Sequence, residues 1–343
     1  MNKYAVPRRN LKAEGLLVLI TFIWGGTFVV IKGALGDISP LLLVSVRFLL
    51  SALIAVPFLT GNIFDSAGRK KNGLRLFSVE VFKNRNLWMW GFFIALGMLA
   101  GYAGQTIGLK YTTVARSGFI TYSFALYVPF LQYVFLKRKP GAGNIIGLFI
   151  VMWGLAYITA PSAEPLTLKD LSPYQIISTG RTMLSGGLNK GDLYTLIGTI
   201  GYAFYVVLLD KASNKHNPGA LTVVQMLLCG LMAFAVTPFS EELYIHLTFP
   251  LAGALLYLVF PGGIFALFIM NRYQKELSPL KAVLIYALEP VFAAFTGWLV
   301  YRGVFSGREV LGALLILSGI IISDIRLIIS GGIKTKRNKP INN

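Results

Sequence analysis

Apolar side chains run along this chain in ten stretches separated by polar segments: residues 15–35, 40–59, 88–109, 115–136, 144–160, 191–210, 219–239, 248–271, 278–301 and 309–329. Each approaches the roughly 20 residues that a helix needs to cross the hydrocarbon of a bilayer. Most are apolar around nearly their whole circumference, which predicts helices surrounded by lipid and by one another. The expected fold class is an all-α integral membrane protein with ten transmembrane helices.

Composition supports this pattern, since 55% of residues are apolar and only 13% charged, against about a quarter charged in soluble domains. The net charge of +18 would suit nucleic acid, but the positions of the cations exclude that partner. Of the 32 basic residues, 23 fall on the N-terminal side of the predicted membrane, 7 on the other side and 2 within helices. This asymmetry over mostly short loops puts both termini in the cytoplasm of a multi-pass protein of the cell (inner) membrane. The longest loop on that side, 61–86, mixes six basic residues with Leu76, Phe77, Val79, Val81 and Phe82, either to lie on anionic headgroups or as a solvated linker. The first apolar run follows Arg8, Arg9 and Lys12, but it is long for a signal peptide and no A-x-A site follows it, so it is read as helix 1. Cys229 is the single cysteine, which excludes an intramolecular disulfide. The two histidines, His216 and His246, fall on opposite sides of the membrane, and no metal-ligating or nucleophilic motif occurs. No catalytic residue, metal or cofactor is expected.

The informative positions are the polar exceptions inside apolar runs. Glu289 sits in the middle of 278–301, where a carboxylate costs roughly 2.5–3.5 kcal/mol on insertion scales unless it faces a cavity or a partner. Pro290 follows at once and lacks the N–H that would bond the carbonyl of Tyr286. Counting 100° per residue puts Ala282, Ile285, Tyr286, Ala293, Thr296 and Val300 on the side of Glu289, with Leu284, Leu288, Val291, Phe295 and Trp298 opposite, against lipid or a packed neighbour. Glu289 therefore either lines a polar interior or ties helices together. Arg47 lies about 10 Å in from the outer end of helix 2, and either snorkels or faces a cavity. Helix 1 carries Trp24-Gly25-Gly26, where the glycines allow a close backbone contact and Trp24 packs or meets a ligand. Helix 3 spaces Gly97, Gly101, Gly104 and Gly108 as a groove for another helix. Helix 4 has a stripe of Gly118, Tyr122, Ala125, Pro129 and Gln132 that resembles helix 9, and helix 8 is interrupted by Pro261-Gly262-Gly263, the kind of break that transporters set beside a cavity.

The two halves of the chain are related. Val46–Leu53 of helix 2 aligns with Val224–Leu231 of helix 7 at an offset of 178, which pairs Arg47 with Gln225. Phe28-Val29-Val30 aligns with Tyr205-Val206-Val207 at 177. Five helices per half is an odd number, so the second half enters the membrane upside down, giving two inverted five-helix repeats.

Leu277-Ser278-Pro279, the stretch from Ala282 to Ala294 around Glu289-Pro290, and Gly312–Gly319 resemble the EamA family of the drug/metabolite transporter (DMT) superfamily. The first half adds Trp24-Gly25-x-x-Phe28, Arg47-Phe48, and Gly108–Thr113 leading to Gly118-Phe119-Ile120-Thr121. Where the family has Gly-Glu after helices 4 and 9, this chain has Lys137-Arg138 and Arg302-Gly303. The resemblance implies a cytoplasmic N-terminus (1–14), a first repeat (15–160), an outer linker (161–190), a second repeat (191–329) and a basic cytoplasmic tail (330–343). It implies a carrier of a small organic metabolite, such as an amino acid or a drug-like compound, through a central cavity between the repeats. The inverted halves add the expectation of alternating access, and a monomer is expected over an obligate oligomer. Candidate binding residues are Glu289, Arg47, Tyr286, Gln225, Tyr122 and Trp24. Candidate helix breaks are Pro129, Pro261, Gly262, Gly263 and Pro290, and proton coupling at Glu289 stays open. The alternative is a membrane-embedded enzyme acting on a lipid or lipid-linked substrate, which requires titratable groups converging near one interface. Glu289, Arg47, Arg116 and Asp324 are instead spread over four helices at different depths.

Overall fold

The computed structural model describes residues 10–59, 82–159, 189–293, 295 and 307–323. The helices in chain order are α1 (Leu11–Ala34), α2 (Pro40–Leu59), α3 (Arg85–Tyr111), α4 (Val114–Tyr122), α5 (Phe124–Leu136) and α6 (Ala142–Thr159), then α7 (Lys190–Ser213), α8 (Pro218–Ser240), α9 (Phe249–Val259), a π-helical segment (Phe260–Phe265), α10 (Ala266–Tyr273), α11 (Pro279–Tyr286) and α12 (Gly307–Ser323). Every one of the ten predicted runs contains helix, and among the described residues seven helical stretches are long and apolar enough to cross a membrane, with a shorter apolar one at Ala142–Ile158. Two of the seven are continuous through several elements, Arg116–Leu136 through α4 and α5 and Phe249–Glu276 from α9 past α10. The loop 61–81, most of the linker 161–190, Asp324, Arg302-Gly303 and the basic tail lie outside the described residues.

Local sequence signals start several of these helices. Asn217 and Ser278 accept hydrogen bonds from the backbone N–H groups of Ala220 and Lys281, with Pro218 and Pro279 in the first turn, where a missing N–H costs nothing. Asn189 and Asp192 cap each other's backbone at the start of α7. Leu53, Phe130 and Phe149 stand exposed in mid-helix, as lipid-facing side chains do.

Close packing depends on glycine where backbones meet. A Cβ on Gly104 would come within 2.5 Å of the carbonyl oxygen of Tyr194, and one on Gly191 within 2.6 Å of that of Gly108, so the predicted groove of α3 receives α7. A Cβ on Gly154 would meet the carbonyl oxygen of Gly312 at 2.6 Å, and one on Gly147 that of Gly319 at 2.4 Å, which brings α6 against α12. Residue numbers rise along one helix as they fall along the other in both pairs. They do so again where α2 packs on α8, with Ser45 Oγ donating to the carbonyl of Gly230 and Leu59 lying on Gly219.

One end of the bundle is tied by polar contacts. The carboxylate of Glu241 accepts from the N–H groups of Leu41 (2.9 Å) and Leu42 (3.1 Å) at the start of α2, where the helix dipole favours an anion. Ile38 and Ile245 form an antiparallel bridge, Thr248 donates to Asp37 at 2.7 Å, and Arg116 pairs with the buried Asp192 at 2.6 Å. At the opposite end Arg138 reaches Asp210 at 3.2 Å.

Three elements differ from the sequence expectation. The run 115–136 is two helices, α4 and α5, because the backbone tightens at Ser123 (φ −61°, ψ −13°). The run from 278 tightens likewise at Ala287 (φ −64°, ψ −6°) before helix resumes at 289. The 100° count does not carry past this kink, and of the two alternatives for the bulky face, lipid or a packed neighbour, Leu284 and Leu288 take the second: both are buried. Pro261-Gly262-Gly263 is not an interruption: the helix continues through it with wider turns, and Trp24 Nε1 takes up the carbonyl of Gly262 at 3.1 Å.

Candidate functional site

Each of the two tightened points follows a tyrosine, Tyr122 before Ser123 and Tyr286 before Ala287, and the fold brings these kinks together. The hydroxyl of Tyr122 donates a short hydrogen bond to the carboxylate of Glu289, which is only 7% exposed. Glu289 thus has one neutral partner, and among the described residues no ion pair engages it. Tyr286 donates to Gln274 at 3.0 Å and its ring meets Trp24 edge-on at 5.5 Å. Trp24 is held by its bond to Gly262, so the π-helical segment orients a cavity-lining indole.

Arg47 enters this space from α2. It is 2% exposed, which overturns the snorkelling alternative: the side chain points into the protein rather than along lipid to the surface. Its guanidinium lies over the rings of Phe48 and Tyr102, at 4.5 and 4.6 Å from their centroids. Its Nε and Nη1 have no hydrogen-bond partner among the described residues. Buried polar nitrogens are nearly always partnered, and a planar cation with free donors suits a carboxylate or phosphate.

Trp24, Arg47, Tyr122, Tyr286 and Glu289 therefore line one cavity. Gln225, the sequence counterpart of Arg47, does not: it is fully buried in α8 and is not among the residues that line the cavity. Pro129 lies within α5, well past the kink at Ser123, and Pro290 sits beside the cavity next to Glu289. Sequence reasoning missed Tyr102, Gln105, Tyr202 and Tyr205, which complete the wall. Tyr202 donates to Gln105 at 3.0 Å, and the rings of Tyr102 and Tyr202 meet edge-on at 5.2 Å. The only sequence signal is a weak one: Tyr102 with Gln105 and Tyr202 with Tyr205 are each spaced i, i+3 on a glycine-rich helix.

The cavity holds about 60 Å³, room for a few ordered waters and too little for a metabolite. No cluster of metal ligands occurs among the described residues.

Comparison with known proteins gives a consistent result. The sequence profile described as the EamA-like transporter family matches residues 11–160 and 189–323. A protein of Archaeoglobus fulgidus called an uncharacterized transporter is 25% identical over 93% of this chain and 88% of its own length. The uncharacterized transporter YyaM of Bacillus subtilis is 25% identical over 91% and 93%, and protein PecM of Dickeya dadantii 24% over 89% and 90%. A solved crystal structure of 15% identity superimposes with a TM-score of 0.68 over 93% of this chain and 98% of the other, a likeness of fold alone. These names set aside the membrane-enzyme alternative: the molecule is a multi-pass membrane transporter.

Proposed function

We propose, from the premise that this chain belongs to the EamA-like transporter family, that it carries a small organic molecule bearing an anionic group through the cavity between its two halves. The observation that carries this reading is Arg47, a guanidinium buried among aromatic rings with two donor nitrogens unpartnered, in the same cavity as the carboxylate of Glu289. Such a site offers an anion two directed hydrogen bonds, and the surrounding rings offer an apolar solute a matching wall.

Inverted halves and alternating access are supported by two features. Equivalent helices of the two halves, α2 with α8 and α6 with α12, pack on each other in antiparallel fashion, as a two-fold axis in the membrane plane requires. The cavity is too small for a metabolite, so a substrate is admitted only if the halves move apart. The repeats on this reading span 15–160 and 191–329, with ten crossings and both termini in the cytoplasm of the cell membrane.

The test of function is uptake or counterflow in proteoliposomes across a panel of carboxylates, phosphates, zwitterions and organic cations. Movement of organic cations alone refutes an anion-reading Arg47. Orientation is tested separately in a chain whose Cys229 is replaced. A cysteine placed at the exposed Ser240 is expected to react with an impermeant maleimide from outside only, and one at the exposed Gly141 from inside only. The opposite pattern overturns the topology.

A further inference from the structure

A second feature lies on the face of α7 that looks away from the cavity. Ile197, Ile200, Phe204, Leu208 and Lys211 follow one another at steps of three and four, a single stripe along the helix with Gly201 beside it. With Trp90 and its neighbours on α3 and Phe135 on α5 they enclose a groove of about 660 Å³. Ile197 and Ile200 are exposed, and Phe135 and Phe204 meet edge-on at 5.8 Å, so the groove is an open slot with a shaped wall. Among the described residues lining it, Lys211 is the one charged side chain.

Length and charge identify the occupant. From Ile197 to Lys211 the stripe measures about 21 Å at 1.5 Å per residue, somewhat more than the roughly 15 Å hydrocarbon depth of one leaflet. The apolar end of the slot therefore falls near the bilayer midplane and the lysine end at the interface. There Trp90, in the second turn of α3, carries two ammonium groups: Nζ of Lys211 is 5.6 Å and Nζ of Lys215 5.5 Å from the centroid of its ring. Among the described residues no carboxylate pairs with either of them. Asp210, next in sequence, is fully buried and paired with Arg138, and the contact of Lys211 with the carbonyl of Phe135 is long, at 3.4 Å. Two cations above an aromatic ring, at the mouth of a leaflet-deep apolar slot, have the form of an amphiphile with an anionic head.

We propose that the groove between α3, α5 and α7 is a binding site for an anionic phospholipid. One acyl chain lies along Ile200 and Phe204, and the phosphate is held between Lys211 and Lys215.

Native mass spectrometry of the purified full-length protein tests this by titration with phosphatidylglycerol, phosphatidylcholine and inorganic phosphate. One phosphatidylglycerol is expected to stay bound under conditions that strip phosphatidylcholine, and inorganic phosphate is expected not to compete. Lys211→Gln with Lys215→Gln should weaken phosphatidylglycerol about 30-fold and leave phosphatidylcholine unchanged, at about 1 kcal/mol per lysine near a headgroup. Ile200→Trp, which fills the slot, should weaken both lipids with thermal unfolding of the lipid-free protein unchanged. Equal retention of the two lipids, an unaltered preference in the double lysine variant, competition by phosphate, or a dimer that covers the groove would each overturn the proposal.

Discussion

Arg47→Gln is expected to lower kcat/KM for a carboxylate-bearing substrate by about 100-fold, almost entirely through KM, in a protein as stable as the wild type. A hydrogen bond from a charged donor contributes about 1.5–3 kcal/mol, and Arg47 offers two free donors, Nε and Nη1, to the cavity. Losing both removes about 3 kcal/mol, or two decades in affinity. Stability is expected to hold because the wild-type guanidinium is already buried with no carboxylate partner among the described residues, and removing an uncompensated buried charge relieves desolvation. Arg47→Lys should recover little, since an ammonium lacks the planar fork. The measurement is the initial rate of transport in proteoliposomes against substrate concentration, beside a thermal unfolding curve. An unchanged KM together with a lowered unfolding temperature would mean that Arg47 holds the aromatic rings of Phe48 and Tyr102 in place and does not read substrate.

Glu289→Gln is expected to fold normally and to abolish accumulation driven by a pH gradient, with exchange of labelled for unlabelled substrate preserved. The amide retains an acceptor for the Tyr122 hydroxyl but cannot take up or release a proton. Glu289→Leu should additionally cost about 1–3 kcal/mol of stability, because the buried hydroxyl of Tyr122 is left without its acceptor. Gradient-driven uptake into vesicles at several pH values separates these cases. Wild-type accumulation by both variants at every pH would assign Glu289 to structure. The double variant with Arg47→Gln should unfold at nearly the same temperature as either single variant, since no ion pair joins the two among the described residues.

The parts of this molecule that could be read from sequence are those where the membrane makes a residue expensive. Glu289 and Arg47 stand out because a charge inside an apolar run needs a reason, and both line the cavity. The four glycines of α3 predicted a helix contact and found α7. Tyr102, Gln105, Tyr202 and Tyr205 stayed hidden because tyrosine and glutamine carry no such cost and pass as packing residues. Gln225 was selected by symmetry with Arg47, but a repeat relates backbones, and the side chains of the two halves fill their shared interior unequally. The kink at Ala287 has its local signal in Pro290, which leaves the carbonyl of Tyr286 without an N–H. The kink at Ser123 has no such signal, since Pro129 lies six residues further on.

The π-helical segment that binds Trp24 has an angular consequence. At 3.6 residues per turn, one extra residue accommodated in a helix turns everything after it by about 100°. Residues 260–265 therefore act as a phase shifter between α9 and α10. Upstream of it, Tyr257 binds the carbonyl of Ile23 on α1. Downstream, Met270 faces the cavity and Gln274 bonds to both Tyr286 and the carbonyl of Val206. With ordinary α-helical winding through Gly262 and Gly263, Met270 and Gln274 would point about a quarter-turn away, and one wall of the cavity would face a neighbouring helix instead.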